Sequence, residues 1–242
     1  SHELRTPLTA MRALIEPLRD GLVKTEEQRQ QIYDVVLRET MRLSRLVNDM
    51  LELSRLQSGT ASLSRSVFAP LPLFNLIHET YSAYAEDYQQ TFVYDVPEDL
   101  PSVWGNPDRT QQVLIVLLDN AFKYTPEGGV VTLSACAEGD VVRVRVRDTG
   151  VGIPAADLPH VFDRFYKVDK SHHSKGTGLG LAIAYEIMKH LGEEMSVTSE
   201  PGQGSCFTFT LHIAQGSAEK TAEERGGRDE AALERALESL AV

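Results

Sequence analysis

The sequence predicts an α-helical hairpin that pairs with a second copy into a dimeric four-helix bundle, followed by an α/β sandwich with a mixed sheet and helices on one face. Apolar residues recur at helical spacing over 1–58, whereas alternating strand patterns and helical patterns follow one another over 68–213. A two-helix hairpin cannot bury such stripes by itself, which favours a homodimer. Residues 59–67 are predicted to be a linker, and 214–242 a polar tail whose leucines allow a short helix near 229–241.

The first predicted helix is amphipathic and ends before a turn between about Gly21 and Glu26. Its apolar side is formed by Leu4, Leu8, Met11, Ile15, Leu18 and Leu22. The second helix carries two interleaved heptad lines, which are Ile32, Glu39, Leu46, Leu53 and Val36, Leu43, Met50. Only Glu39 breaks the apolar rule, and we expect Pro7 to bend the first helix.

The second domain shows a mixed α/β pattern. Helices are predicted near 70–87, 107–124 and 179–191, and strands near 91–96, 130–137, 140–147, 195–200 and 205–213. The second and third strands form a hairpin around Glu138, Gly139 and Asp140. This order favours a helix layer on one face of a mixed sheet.

Composition excludes some function classes. The net charge of −11 argues against nucleic-acid binding. Cys136 and Cys206 lie in predicted strands without metal-ligand spacing, so we expect buried free thiols in a reducing cytosol. No segment is long enough to span a bilayer, and no signal peptide is present, yet the chain begins inside a helical pattern. We therefore expect a fragment, with a membrane-bound parent still open.

The first residues place a candidate nucleophile on the first helix. His2 is followed directly by Glu3, and Thr6 lies one turn later on the same side, opposite the apolar stripe. An exposed imidazole beside a carboxylate can act as a nucleophile, although a single surface histidine is more often only solvated.

Two blocks of the second domain carry polar groups that suit a nucleotide. Asn120 ends a helix and offers an amide oxygen suited to Mg²⁺, and Lys123 lies near the same helical face. Asp148 follows a strand and can accept a hydrogen bond from an amine such as that of adenine, while Gly150 and Gly152 let the backbone approach a flat ligand. Alone, each block also fits an ordinary helix end or turn.

Two further blocks are an aromatic and basic segment at 162–167 and a glycine-rich segment at 176–183 that opens a helix. Backbone N–H groups at such a helix start bind phosphate. The glycines do not follow a strand, and no P-loop motif occurs, so a Rossmann or Walker site is disfavoured.

Together the blocks resemble the sensor histidine kinases of two-component systems. Their order matches the H, N, G1, F and G2 boxes of that family over residues 1–213. The resemblance implies a Bergerat-type ATP-binding domain, ATP and Mg²⁺ as cofactors, a homodimer, and the receiver domain of a response regulator as partner. It also implies the cytoplasmic part of a membrane-bound bacterial sensor kinase.

The resemblance implies a role for each matching residue. His2 is the phosphoacceptor, Glu3 orients or accepts its proton, Thr6 positions a water for dephosphorylating the regulator, and Asn120 is the Mg²⁺ ligand. The implied nucleotide-binding residues are Asn120, Lys123, Tyr124, Asp148, Gly150, Gly152, Ile153, Lys167, Gly176, Thr177, Gly178, Leu179, Gly180 and Leu181.

The chain departs from the family pattern at three positions. Val116 stands where the family commonly has a second asparagine, which removes one oxygen near the metal, and Lys167 replaces a frequent arginine. Pro17 is a second proline in the first helix. Two other classes therefore remain as alternatives. One is an ATPase of the gyrase, Hsp90 and mismatch-repair group, and the other is a signalling scaffold with a weakened ATP site.

Overall fold

A computed structural model of the chain describes residues 2–61, 63–168 and 176–214, with side chains from Leu4 onward. The predicted tail helix near 229–241 lies outside the described residues. The chain divides into two compact units. One unit comprises the residues up to Ala61 together with Phe162–Ile183, and the other comprises Ser62–Val161 together with the residues from Ala184 onward.

The first unit contains a helical hairpin, as predicted. Helix α1 spans His2–Arg19, with Pro7 and Pro17 inside it, and helix α2 spans Glu26–Gln57. The Thr25 side chain caps α2 by accepting a hydrogen bond from the Gln28 N–H at 3.2 Å. Two acidic residues in the first turn of α2 suit its positive end.

The predicted heptad lines agree with the burial of α2, whereas the stripe of α1 is only partly covered within one chain. Leu46 and Leu53 are buried, and the other members of both lines are half-buried. Leu56, which is in neither line, is also buried. By contrast, Leu8 is 52% exposed and Leu22 is 70% exposed. The other large exposed apolar side chains of the hairpin are Ile15, Tyr33, Leu37, Met41, Val47 and Leu51. This exposure agrees with the expectation that a two-helix hairpin cannot bury its apolar stripes by itself, because two helices offer too little surface.

The second unit contains a five-stranded mixed sheet in the order β2-β4-β5-β7-β6. In chain order the elements begin with β1 (Ser66–Phe68), α3 (Pro70–Asp87), β2 (Thr91–Asp95), β3 (Val103–Gly105) and α4 (Pro107–Tyr124). They continue with β4 (Val130–Glu138), β5 (Val141–Asp148), a 3₁₀ turn (Leu158–His160), α5 (Gly180–His190), β6 (Met195–Glu200) and β7 (Gly204–His212). The first four residues of α5 belong to the first unit and the rest of the helix to the second. Strands β2 and β4 are parallel and the other neighbours antiparallel, which confirms the predicted mixed sheet.

The core of this unit lies between the sheet and its helices. On the sheet side, Leu133, Val144 and Phe209 are fully buried, and on the helix side so are Leu117 and Phe122. Alternate residues of β4 and β5 point to this core, and this is why apolar residues alternate along those two segments of the sequence. Helix α4 contacts both strands, so the core fixes the helix that carries Asn120.

Two features differ from the sequence prediction. Strands β1 and β3 pair antiparallel and were not predicted, and the first two residues of β1 fall in the expected linker. Each has three residues, too few to show a period, and they pair only through a contact distant along the chain.

The cysteines are half-buried rather than buried, since both alternate with core residues and point to the other face of the sheet. Cys136 contacts the Glu138 carboxylate at 3.1 Å and the Arg145 guanidinium at 3.2 Å. No helix within the described ranges has the length and apolar character needed to cross a membrane.

Candidate functional site

Helix α4 presents Asn120 in a fixed orientation. Asn106 caps the start of the helix by accepting a hydrogen bond from the Arg109 N–H at 2.9 Å. The Asn120 amide nitrogen donates to the Val116 carbonyl, one helical turn earlier, at 2.9 Å. The amide oxygen of Asn120 therefore points away from that carbonyl and is the atom available to a ligand.

Lys123 and Tyr124 form a pair at the end of the same helix. The Lys123 ammonium donates to the Tyr124 hydroxyl at 2.9 Å and lies 4.5 Å from the centre of its ring. Both side chains are exposed. The positive charge of Lys123, three residues after Asn120, is thus held against the aromatic ring of Tyr124.

Asp148 is the most buried charged residue of the candidate site. Its side chain is at the end of β5 and the residue is only 5% exposed. One carboxylate oxygen, Oδ1, accepts hydrogen bonds from the Gly150 N–H at 2.8 Å and the Ser205 N–H at 3.2 Å. Burial raises the pKa of Asp148, and the two backbone hydrogen bonds oppose that rise. Within the described residues no hydrogen bond reaches Oδ2, so this oxygen is an available acceptor.

The loop after Asp148 is tied to the end of α4. The Val151 N–H donates to the Tyr124 carbonyl at 3.2 Å. Further along the loop, the Ile153 N–H donates to the Ser199 hydroxyl at 2.8 Å. The structure therefore brings the Lys123–Tyr124 pair and the Asp148 loop together, as the sequence blocks predict for one binding site.

The two glycines of this loop are required by the protein's own packing. A Cβ added to Gly150 would lie 2.4 Å from the Tyr124 carbonyl oxygen. Gly152 has a φ of +70°, and its Cβ would lie 2.0 Å from the Glu200 carbonyl oxygen. From the sequence, we explained these glycines by the close approach of a flat ligand. In the structure they allow the close approach of two segments of the chain itself.

Sequence reasoning missed Ser205 as a part of this site. Its N–H helps to hold Asp148, and Gly204 before it has no room for a side chain because a Cβ would lie 2.0 Å from the Asp148 carbonyl oxygen. Ser205 is the second residue of β7. The pairing of β5 with β7, which a single sequence does not reveal, is what brings it to Asp148.

The glycine-rich loop belongs to the first unit. It leads into α5, which begins at Gly180 and continues with Leu181, so the unpaired N–H groups of that helix start are in the predicted phosphate segment. Leu179 is fully buried and anchors the loop. The Gly178 carbonyl accepts a hydrogen bond from the Phe165 N–H at 2.8 Å. Gly176 is exposed, and Thr177 contacts Asp49 of α2, a contact that the sequence did not suggest.

The remaining predicted residues also lie in the first unit. Thr6 is exposed on α1, four residues after His2. His2 and Glu3 are part of α1, while their side chains lie outside the described atoms. Lys167 is half-buried and engaged with a partner.

The residues present fit ATP and a divalent cation. Among the described residues there is no group of three or more His, Cys, Asp or Glu side chains that could hold a metal by itself. The Asn120 amide oxygen is a hard ligand of the kind Mg²⁺ binds together with nucleotide phosphates. Asp148 Oδ2 suits an exocyclic amine, and the start of α5 suits phosphate.

Comparison with known proteins identifies the family. Residues 1–59 match the His Kinase A (phospho-acceptor) domain, and residues 105–215 match the family described as histidine kinase-, DNA gyrase B-, and HSP90-like ATPase. The chain is 40% identical over 215 residues to sensor histidine kinase WalK of Bacillus subtilis, which covers 87% of this chain and 35% of WalK. It is 37% identical over 223 residues to adaptive-response sensory kinase SasA of Thermosynechococcus vestitus, covering 88% of this chain and 58% of SasA.

A solved structure agrees with these matches. The full-length structure of ShkA in complex with AMPPNP is 32% identical, has a TM-score of 0.67, and covers 88% of this chain and 45% of ShkA. The chain thus spans about a third to three fifths of the length of the curated relatives described above. The phosphoacceptor hairpin and the ATPase-type domain occur here in one chain and in that order. The chain therefore belongs to the sensor histidine kinases.

Proposed function

We propose that the chain is the catalytic core of a two-component protein-histidine kinase that uses ATP and Mg²⁺. The observation that carries this proposal is the geometry of Asp148. Its Oδ1 is held by two backbone N–H groups, and Oδ2 is left to accept a hydrogen bond from the amine of adenine. The ShkA relative was solved with AMPPNP, an ATP analogue, which supports a nucleotide in the corresponding domain.

The proposed reaction is two successive phosphoryl transfers. A ring nitrogen of His2 forms a bond to the γ-phosphorus of ATP, the bond from that phosphorus to the β–γ bridging oxygen breaks, and ADP leaves. Glu3 orients the ring or accepts the proton of its other nitrogen. In the second step the P–N bond breaks as an aspartate oxygen of a response regulator forms a bond to phosphorus.

The remaining groups position the reactants and neutralise charge. Asn120 holds Mg²⁺ through its amide oxygen, and Mg²⁺ when bound neutralises phosphate charge. Lys123 supplies a positive charge in the last turn of α4, the helix that carries Asn120. The N–H groups at the start of α5 bind phosphate. Catalysis of this kind depends mainly on positioning and electrostatics.

We also propose that the hairpin works as a homodimer. The exposed apolar residues of α1 and α2, among them Leu8, Leu22 and Leu37, form a surface that a second hairpin can cover. We propose that Thr6, which is exposed on α1 four residues after His2, positions a water that dephosphorylates the regulator. The parent protein is proposed to be a membrane-bound sensor with this part in the cytoplasm.

The test is phosphate labelling from γ-labelled ATP with Mg²⁺. We expect acid-labile, alkali-stable label on the protein, lost in the His2→Gln variant and strongly reduced in Asn120→Ala. The matched control is Asn48→Ala, an exposed asparagine of α2. Label that survives in His2→Gln would refute the phosphoacceptor assignment.

The same assay separates the alternatives. ATP hydrolysis without protein labelling would favour a plain ATPase, and absence of nucleotide binding would favour a scaffold whose site is weakened at Val116. The match of residues 1–59 to a phosphoacceptor domain supports the kinase over the plain ATPase.

A further inference from the structure

The glycine loop is hydrogen-bonded to helix α2 through Thr177. Its hydroxyl donates to Asp49 Oδ2 at 2.9 Å, and the two residues are far apart in the chain but belong to the same compact unit. Asp49 is half-buried in the C-terminal half of α2. This contact joins the proposed phosphate loop to the helical hairpin.

The contact is one part of a packed arrangement. Leu179, directly after the loop glycines, is fully buried, and Leu53 of α2 is 3% exposed. These two leucines and Met50 line a common cavity of about 490 Å³. Arg164 also contacts Gln57, near the end of α2. The loop therefore has a defined position against α2, which Asp49 fixes through a polar bond.

The Thr177 hydroxyl also accepts a hydrogen bond from a backbone N–H group that could otherwise bind phosphate. Thr177 Oγ1 accepts a hydrogen bond from the Leu179 N–H at 3.3 Å while it donates to Asp49. The Leu179 N–H lies just before the first residue of α5, among the donors that make a helix start attractive to anions. In this arrangement both the Thr177 hydroxyl and the Leu179 N–H already have partners.

The negative charge of Asp49 also lowers the affinity of the loop for nucleotide phosphates. Burial raises the pKa of Asp49, with Glu52 adding to that rise, while the bond from Thr177 and the charge of Arg45 oppose it. A partly desolvated carboxylate is screened less than an exposed one, so it repels a nearby polyphosphate more strongly. The ionised carboxylate and the phosphates of a nucleotide thus compete for one loop.

We propose that Asp49 is an autoinhibitory latch, which holds the glycine loop on α2 through Thr177 in a state with low affinity for nucleotide. Nucleotide phosphates release the loop, and by thermodynamic reciprocity a change in α2 that weakens the Asp49–Thr177 bond increases nucleotide affinity. This inference rests on the proposed ATP site and deepens it, because it names an element of the hairpin that controls that site.

The test measures nucleotide affinity in Asp49 variants. A trinitrophenyl derivative of ATP is bound to the full chain with Mg²⁺ and displaced with unlabelled ATP. We expect Asp49→Ala to lower the Kd for ATP about fivefold, the equivalent of one typical net hydrogen bond. Asp49→Asn removes the charge but keeps an acceptor for the Thr177 hydroxyl, so its Kd falls by about twofold.

The control is Asp34→Ala, which removes the same charge from an exposed site on the same helix and leaves the Kd unchanged. A second readout is amide hydrogen exchange, in which Asp49→Ala increases exchange at 176–181 without nucleotide. Unchanged or weaker ATP binding in folded Asp49→Ala and Asp49→Asn overturns the latch while the ATP site stands. Absence of ATP binding by the wild-type chain overturns both proposals.

Discussion

Asp148→Asn is the most informative single substitution, because the structure fixes which side of the new amide would face a ligand. The Gly150 and Ser205 N–H groups demand an acceptor at the Oδ1 position, at 2.8 and 3.2 Å. An asparagine that satisfies them places its NH₂ group where Oδ2 now lies. That donor would meet the amine of adenine, also a donor, so one hydrogen bond to a charged acceptor is lost and two donors face each other.

The expected loss of ATP affinity follows from the loss of this one hydrogen bond. A hydrogen bond to a charged group contributes about 1.5–3 kcal/mol, so we expect ATP affinity to fall roughly 10- to 150-fold. Displacement of trinitrophenyl-ATP measures this Kd, and Asp140→Asn in the exposed β4–β5 turn is the control. Wild-type affinity in Asp148→Asn would show that Oδ2 does not receive the adenine amine, and the proposed site would then be wrong.

The same variant has an opposite effect on stability. Burial raises the pKa of Asp148 above its usual 3.8, so the folded protein binds this proton more tightly than the unfolded chain. The stability of the wild type therefore falls as pH rises from 3.8 through the folded pKa. Asp148→Asn removes this penalty, and we expect a higher Tm than wild type at neutral pH, with the gain lost below pH 3.8. A lower Tm at neutral pH would contradict this sign.

Three further predictions concern other parts of the molecule. Gly152→Ala places a Cβ 2.0 Å from the Glu200 carbonyl oxygen at a φ of +70°, so thermal unfolding should show a loss of about 3 kcal/mol or more. An unchanged Tm would mean that the loop does not pack in this way. Tyr81→Phe loses the 2.7 Å hydrogen bond to Asp119 but keeps the buried ring, and chemical denaturation should show a loss of about 1 kcal/mol with ATP affinity unchanged. Thr6→Ala should retain autophosphorylation and lose dephosphorylation of the regulator, and unchanged dephosphorylation would refute the role of Thr6.

Elements with many residues on one buried face could be predicted from the sequence. Helix α4 buries seven residues at helical spacing, and β5 alternates along its length, so both were predicted to within a residue or two. The three-residue strands β1 and β3 carry no period of their own and form through a distant pairing. Their existence depends on tertiary contacts that periodicity does not encode.

The same distinction applies to the candidate site. The bond from the Gly150 N–H to Asp148 is local, and the sequence block that contains both residues indicated a tight turn there. The bond from the Ser205 N–H depends on the register of β5 and β7, and the contact of Thr177 with Asp49 joins distant segments. The parts of the site that sequence analysis missed are those that two remote segments build together.

The bond that orients Asn120 has a consequence for protein engineering. Its acceptor is the main-chain carbonyl of residue 116, so the side chain at that position does not take part in the bond. We therefore expect Asn120 to keep its orientation when Val116 is replaced by asparagine, glutamate or histidine. The number of oxygen or nitrogen ligands at the proposed cation site is then an adjustable property of one helix position, separate from the fold that carries it.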